Sequence, residues 1–148
     1  MLKKEKNQEL ERFKNPLEIK DWTIEDQTYN KLNKLKNGEV GSMLNITSVA
    51  SIRETQKMVM DHSRLKIPLI FGYDVIHGYK TIFPIPLGES ASWDLEIIKK
   101  TAAIAAKETA ASGIQWTFAP MIDISRDARW GRVMEGAGED VYLNTVIG

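Results

Sequence analysis

The feature that most constrains the fold is an alternation of short apolar runs with longer segments of helical spacing. The apolar runs cover residues 40–46, 67–73 and 114–122. We predict that each run forms a short strand, and that the strand at residues 40–46 is buried. The run at residues 67–73 is apolar almost throughout, which suits a strand that is buried on both faces.

The predicted helix between the first two strands starts at a capping box. Residues 51–54 have the sequence Ser-Ile-Arg-Glu, and a helix to about residue 64 follows. After the second strand, residues 81–88 contain Pro84 and Pro86. We predict an irregular loop there, because proline disrupts the hydrogen bonding of helices and strands.

The clearest predicted helix covers residues 93–112. Its apolar side chains follow helical spacing, and its many alanines favour a helix and allow close packing on a sheet. Ser92 or Asp94 is the predicted N-cap, and Gly113 closes the helix. The order strand, helix, strand, helix, strand predicts an α/β fold with a parallel sheet. It fits either a small doubly wound sheet or the opening portion of a (β/α)8 barrel.

Residues 1–37 differ from the rest in being polar and rich in lysine, glutamate and asparagine. We interpret them as a polar leader with one possible helix at residues 24–36, for which Thr23 is the candidate N-cap and Gly38 the residue past the end. The first 15 residues contain lysines without a following apolar core. We therefore expect no secretory signal in this segment. The sequence does not indicate in which cellular compartment the protein is located.

Overall composition argues against several classes of partner. The 148 residues include 20 basic and 20 acidic side chains, which cancel, so we expect no nucleic-acid or anionic-membrane partner. No apolar run reaches 18 residues, so no membrane span is predicted. The sequence has no cysteine, which excludes disulfides and thiolate metal sites.

A dense polar loop follows the third predicted strand. Residues 118–124 are apolar except for Asp123, and Trp130 lies among charges and glycines further on. Such a sequence is typical of a buried strand that is followed, at its carboxyl end, by a functional loop. The alternative is a solvent-exposed patch of salt bridges without a functional role. A tryptophan among charges suits the face of a sugar or an aromatic ligand. The charged residues are Arg126, Asp127, Arg129, Arg132, Glu135, Glu139 and Asp140.

Asp74 and Asp123 both fall at the carboxyl ends of predicted strands, where parallel α/β folds bind ligands. The alternative for each is an aspartate that caps a helix or braces a loop. His77 follows Asp74 closely and has the chemistry of a metal ligand or a general base. A single histidine beside a glycine is weak evidence for either, and we predict that His77 fixes the loop after Asp74.

Two stretches resemble motifs of glycoside hydrolase family 3, the family of β-glucosidases and related exo-acting enzymes. Residues 124–140, ISRDARWGRVMEGAGED, resemble its RDxRWGR-x-x-E-x-x-x-ED stretch. Residues 67–87, IPLIFGYDVIHGYKTIFPIPL, resemble its strand that ends in D-x-x-HG and precedes a proline-rich loop. The resemblance extends from about Gly38 to the last residue. It implies the first portion of a (β/α)8 TIM-type barrel, incomplete in this chain, over residues 38–148.

The resemblance also implies roles for individual residues. In the family, the aspartate of the D-x-x-HG motif, here Asp74, hydrogen-bonds hydroxyls of the innermost sugar, and the arginine at the position of Arg132 reaches the same sugar. Arg126, Asp127 and Arg129 are predicted to form scaffold ion pairs. Since the family's nucleophilic aspartate and its acid/base come after the matched region, we assign no catalytic residue here. The resemblance implies no cofactor and no metal.

The acidic residues Glu135, Glu139 and Asp140 offer an alternative reading as the paired carboxylates of a glycosidase, but the resemblance argues against it. It implies that the parent enzyme hydrolyses terminal β-linked glucose or similar sugars by a retaining mechanism, that this chain alone is inactive, and that it needs the C-terminal part of the barrel. One alternative is a non-catalytic sugar-binding module that keeps Asp74 and Arg132. Another is a metal-dependent hydrolase that uses Asp74, His77 and Asp123.

Overall fold

The computed structural model describes residues 24–148, which contain five α-helices, three short strands and one 3-10 turn. The strands are joined through helices, as the sequence predicts. In chain order the elements are α1 (Ile24–Asn37), β1 (Ser42–Leu44), α2 (Val49–His62), β2 (Ile70–Tyr73), α3 (Pro86–Ser90), α4 (Leu95–Ala111), β3 (Trp116–Thr117), the 3-10 turn (Val133–Glu135) and α5 (Val141–Ile147).

The three strands form one sheet in the order β1–β2–β3. Strands β2 and β3 are parallel, with Gly72 opposite Trp116 and Tyr73 opposite Thr117. The side chain of Gln115 extends this pairing, because its Oε1 accepts a hydrogen bond from the Phe71 amide at 2.9 Å. The predicted α/β order with a parallel sheet is confirmed.

The strands are shorter and less buried than predicted. Strand β3 has two residues rather than the nine predicted at 114–122, because β2 ends at Tyr73, opposite Thr117, and Pro120 further on has no amide hydrogen for a ladder. Beyond β3, Met121 forms an isolated parallel bridge with Gly136. Leu44 in β1 is 51% exposed, so the predicted burial of that strand is wrong. In β2, only Phe71 and Gly72 are buried.

The described residues fall into two compact units, the first of which contains residues up to 43 and residues 48–70. Within it, α1 packs against α2, and the buried side chains include Leu35 and Val59. Helix α1 agrees with the prediction for residues 24–36, whereas Thr23, the predicted N-cap, lies outside the described residues. The predicted capping box is wrong, because α2 starts at Val49 and its N-cap is Ser48.

The second unit contains residues 44–47 and 71–148. Its longest helix, α4, begins after Asp94, whose carboxylate accepts a hydrogen bond from the Ile97 amide at 3.1 Å. Of the two predicted N-caps, Asp94 is therefore correct. Gly113 follows the end of the helix with a φ of 88°, a conformation that glycine adopts without a steric penalty. The core of this unit includes Phe71, Val75, Ala105, Ile114 and Leu143.

Residues 81–88 do not form a loop throughout, as the sequence predicted. Helix α3 starts at Pro86, because a proline at the first helical position loses no intrahelical hydrogen bond. None of the helices in the described range is long and apolar enough to cross a membrane.

Candidate functional site

Asp74 immediately follows β2 at the carboxyl edge of the sheet, and it is exposed. The hydroxyl of Thr117, at the end of β3, donates a hydrogen bond to the Asp74 carbonyl at 3.1 Å. The next residue, Val75, has a φ of 53° and a buried side chain. A positive φ is unusual for a β-branched residue and persists only where the surroundings hold it. The main chain on both sides of the Asp74 side chain is therefore fixed.

His77 braces the loop that follows Asp74. Its Nδ1 donates to the Phe83 carbonyl at 3.0 Å, and the Phe83 amide donates to the His77 carbonyl at 2.8 Å. This pair of bonds supports the predicted structural role of His77. Across residues 24–148, no three histidine or carboxylate side chains gather as a group that could hold a metal ion. The alternative site of Asp74, His77 and Asp123 is thus not assembled in that range.

Gly78 occupies a position in this loop that no other residue fits. Its φ is 113°, and a Cβ atom there would lie 2.0 Å from the Thr81 carbonyl oxygen. We expect Gly78→Ala to reduce the free energy of unfolding by roughly 2–4 kcal/mol, from backbone strain and overlap together. Urea unfolding of the purified chain measures the effect.

Gly88→Ala is the matched control for this prediction. A Cβ at Gly88 would have only ordinary contacts, the nearest at 3.8 Å, and the residue lies in helix α3. Alanine is favoured over glycine in helices by about 1 kcal/mol. The control is expected to leave stability unchanged or slightly higher, and equal losses in both variants would contradict the argument for Gly78.

Arg132 is tied to Glu135 by three short contacts. Its Nε lies 3.2 and 3.1 Å from the two carboxylate oxygens of Glu135, and its Nη2 lies 2.7 Å from Oε2. These hydrogen bonds raise the pKa of the Arg132 guanidinium, and the negative charges of Asp123 and Asp74 raise it further. Arg132 therefore lies within electrostatic range of both aspartates.

One edge of the Arg132 side chain is available for a ligand. The side chain is 60% exposed, and Nη1 has no hydrogen-bond acceptor among residues 24–148. Glu135 occupies the Nε and Nη2 edge and so fixes the plane of the guanidinium. The sequence analysis placed Glu135 in the polar loop and weighed it as a catalytic carboxylate, without pairing it with Arg132. Its spacing of three residues from Arg132, typical of helical ion pairs, was the available signal.

The other acidic residues of the loop serve local structure. The Asp140 carboxylate accepts a hydrogen bond from the Leu143 amide at 2.6 Å and caps helix α5. Glu139 is exposed. Since Glu135 binds Arg132 and Asp140 caps a helix, the alternative of a catalytic carboxylate pair among these three residues receives no support from the geometry.

Asp127 and Arg129 form an exposed ion pair, as predicted. Arg129 Nε and Nη2 lie 3.0 and 2.6 Å from the two oxygens of Asp127, and the bond lowers the pKa of that carboxyl. The prediction is wrong for Arg126, which is exposed and has no ion-pair partner in the described part of the chain. The physical reason is that Arg129 already occupies both oxygens of Asp127.

A cavity of about 640 Å³ lies in the second unit, between α4 and the segments that follow β2 and β3. Its lining is mostly apolar and includes Ile98, Ala105 and Met121, with Glu135 at one wall. Neither Asp74 nor Arg132 lines it. We call the polar group formed by Asp74, Asp123, Arg132 and Glu135 the edge cluster. It adjoins the cavity through Glu135, which alone of the four lines it.

Comparison with known proteins identifies the family of the chain. Residues 4–148 match the glycosyl hydrolase family 3 N-terminal domain. The chain belongs to this family. Among relatives, the periplasmic β-glucosidase of Salmonella typhimurium is 48% identical over 114 residues, which cover 77% of this chain and 15% of that protein. The lysosomal β-glucosidase of Dictyostelium discoideum is 37% identical and covers 66% of this chain and 12% of that protein.

Solved structures of family 3 enzymes have the same fold as this chain. The β-glucosidase of Listeria innocua in complex with glucose superposes with a TM-score of 0.77 at 40% identity, over 88% of this chain and 18% of that one. The predicted fold is confirmed: the described elements are the opening portion of a TIM-type barrel. They supply three strands, whereas a closed barrel has eight. The family 3 chain spans less than a fifth of these relatives.

Proposed function

We propose that this family 3 chain forms the opening portion of the barrel of a β-glucosidase-like enzyme, which hydrolyses terminal β-linked sugars with retention of configuration. In this proposal Asp74 and Arg132 bind the sugar, and the rest of the barrel supplies the nucleophile and the acid/base. The observation that carries the proposal is the edge cluster, in which Arg132 lies within electrostatic range of Asp74 at the carboxyl end of β2.

The chemistry of the two side chains suits a ring of hydroxyl groups. The exposed Asp74 carboxylate accepts hydrogen bonds from hydroxyls, and the free Nη1 edge of Arg132 donates to them. Such charge-assisted hydrogen bonds are short and directional. A retaining enzyme adds two further carboxyl groups, one as the nucleophile that forms a glycosyl-enzyme and one that protonates the leaving group. No step of this chemistry uses a metal or an organic cofactor.

The relatives support a small carbohydrate as the substrate. The Listeria innocua β-glucosidase has been solved with glucose, and a mutant of it with laminaribiose. The relatives also include a β-xylosidase of Formosa agariphila, which is 34% identical to this chain. We propose a β-glucoside as the substrate, because the Salmonella typhimurium β-glucosidase has the higher identity of 48%.

Exposed apolar side chains support the need for the remaining part of the barrel. Within the second unit, Ile82, Ile122 and Tyr142 are 67%, 61% and 72% exposed. Strand β3 is at one edge of the sheet, and an uncovered parallel strand leaves its ladder groups unpaired. Further barrel strands and helices would cover both the side chains and the edge.

The alternative function is a non-catalytic sugar-binding module. One observation is compatible with it, because the charge of Asp74 acts on Arg132 within this chain alone. Such a module would bind a sugar without turnover even when the rest of the barrel is present.

A hybrid enzyme tests the proposal. It joins residues 1–148 to the part of the Salmonella typhimurium β-glucosidase that follows its matching stretch. We expect the hybrid to release nitrophenol from p-nitrophenyl β-glucoside, because the chain would complete the barrel and the sugar subsite. The Salmonella part alone is the control and is expected to be inactive. A hybrid that melts cooperatively and binds glucose but shows no turnover would support the non-catalytic module instead.

A further inference from the structure

Glu108, on helix α4, holds two consecutive residues of the loop that follows β2. Its carboxylate accepts three hydrogen bonds: from the Lys80 amide at 2.9 Å, from the Thr81 amide at 2.8 Å and from the Thr81 hydroxyl at 2.6 Å. Oε2 accepts both amides and Oε1 accepts the hydroxyl. Because these partners are 27 and 28 positions away in sequence, the bonds link α4 to the loop.

An ionised glutamate is specifically suited to this position. The Thr81 hydroxyl, followed by the Thr81 amide, lowers the pKa of the Glu108 carboxyl, so the charged form is favoured. All three partners are donors, and a carboxylate offers two acceptor oxygens. A glutamine can meet all three only if its amide nitrogen faces the Thr81 hydroxyl, which must then accept, and it replaces charge-assisted hydrogen bonds with weaker neutral ones.

The loop held by Glu108 leads directly to Asp74. The Thr81 carbonyl packs against Gly78, where it leaves no room for a Cβ. His77 and Phe83 close the base of the loop through two hydrogen bonds. The loop begins at Val75, whose positive φ needs support from its surroundings. Glu108 thus supports, through Thr81, the conformation from which Asp74 projects.

We propose that Glu108 is a positioning residue for the sugar subsite. By holding Lys80 and Thr81, it keeps the Asp74 carboxylate directed towards the sugar that Arg132 also contacts. This inference rests on the proposed function, because it assumes that Asp74 binds the substrate.

The test is a double-mutant cycle in the hybrid enzyme. Glu108→Gln is expected to lower kcat/KM for p-nitrophenyl β-glucoside about tenfold, since small displacements of a binding group have large effects on turnover. In a hybrid that already contains Asp74→Asn, Glu108→Gln is expected to cause little further loss, because residues that act through each other are not additive. Glu96→Gln, the same change at an exposed position of α4, is the matched control and should leave kcat/KM unchanged.

Each outcome of the cycle decides a different point. If Asp74→Asn lowers kcat/KM and Glu108→Gln does not, the inference is wrong and the proposed function stands. If both lower it and their effects multiply, Glu108 acts on the fold rather than through Asp74, and the inference is again wrong. If Asp74→Asn leaves kcat/KM unchanged, Asp74 does not bind the sugar. The inference about Glu108 is then wrong as well, because it depends on that role.

A second pair of variants covers the case in which Glu108→Gln does not fold. Thr81→Val removes one of the three hydrogen bonds and leaves both amide bonds in place. It is expected to lower kcat/KM about threefold, and again only while Asp74 is present. Thr81→Ser keeps the hydroxyl and should restore kcat/KM. Equal activity of the valine and serine variants would overturn the inference.

Discussion

The 148-residue chain alone is expected to release no nitrophenol from p-nitrophenyl β-glucoside above the uncatalysed rate. A retaining glycosidase needs a nucleophile and an acid/base about 5–5.5 Å apart, one on each side of the bond that breaks. In the edge cluster, Glu135 is bound to Arg132, and Asp74 has the proposed role of holding sugar hydroxyls. Without the catalytic pair, the chain lacks a rate enhancement of about 10⁶-fold or more.

The measurement compares the chain with the hybrid enzyme at equal molar concentration. The hybrid is the positive control, and its turnover shows that the substrate and conditions are suitable. Turnover that co-purifies with the 148-residue chain and disappears in an Asp123→Ala variant would contradict the prediction. Such a result would assign the nucleophile to a carboxylate of the edge cluster.

The helices with strong local signals could be predicted from the sequence. Helix α4 combines helical spacing with an aspartate at its start and a glycine at its end, and Asp94 and Gly113 have the expected roles. The start of α2 was misplaced because Ser48 and Ser51 are equally good caps by residue type. Only the structure shows that the Ser51 amide donates to the Ser48 hydroxyl, at 3.5 Å.

Strand lengths could not be predicted, because a ladder depends on its partner strands as well as on its own residues. Residues 114–122 are apolar enough for a long strand, yet Trp116 and Thr117 alone pair with β2 as a regular strand. Composition does not reveal where a partner strand ends. The sequence also contains Pro120, which cannot donate to a ladder and was a signal against a strand that reaches residue 122.

The candidate site was predictable in part. The positions of Asp74 and Arg132 follow from the D-x-x-HG and RWGR motifs, but their electrostatic proximity needs the structure. The role of Glu135 was accessible from its spacing to Arg132. The role of Glu108 could not be predicted, because its partners Lys80 and Thr81 are distant in sequence. The residues next to Glu108 indicate only that it lies in a helix.

In the hybrid enzyme, Asp74→Ala and Arg132→Ala are each expected to lower kcat/KM by about 10- to 100-fold while the fold is preserved. Each side chain is proposed to make a charged hydrogen bond to a sugar hydroxyl, and such a bond contributes roughly 1.5–3 kcal/mol. Since a factor of ten corresponds to about 1.4 kcal/mol, the losses follow directly. Measurement of kcat/KM and Tm side by side separates lost binding from lost stability.

Asp127→Ala and Arg129→Ala are the matched controls, because they remove the same two residue types from the same loop. Their ion pair is exposed, with side chains 53% and 90% accessible, and exposed pairs contribute about 0–1 kcal/mol. Both controls should keep kcat/KM within about twofold of the parent hybrid. If Asp74→Ala behaves like Asp127→Ala, or loses activity only in proportion to a fall in Tm, then Asp74 braces the loop after β2 and the sugar is bound elsewhere.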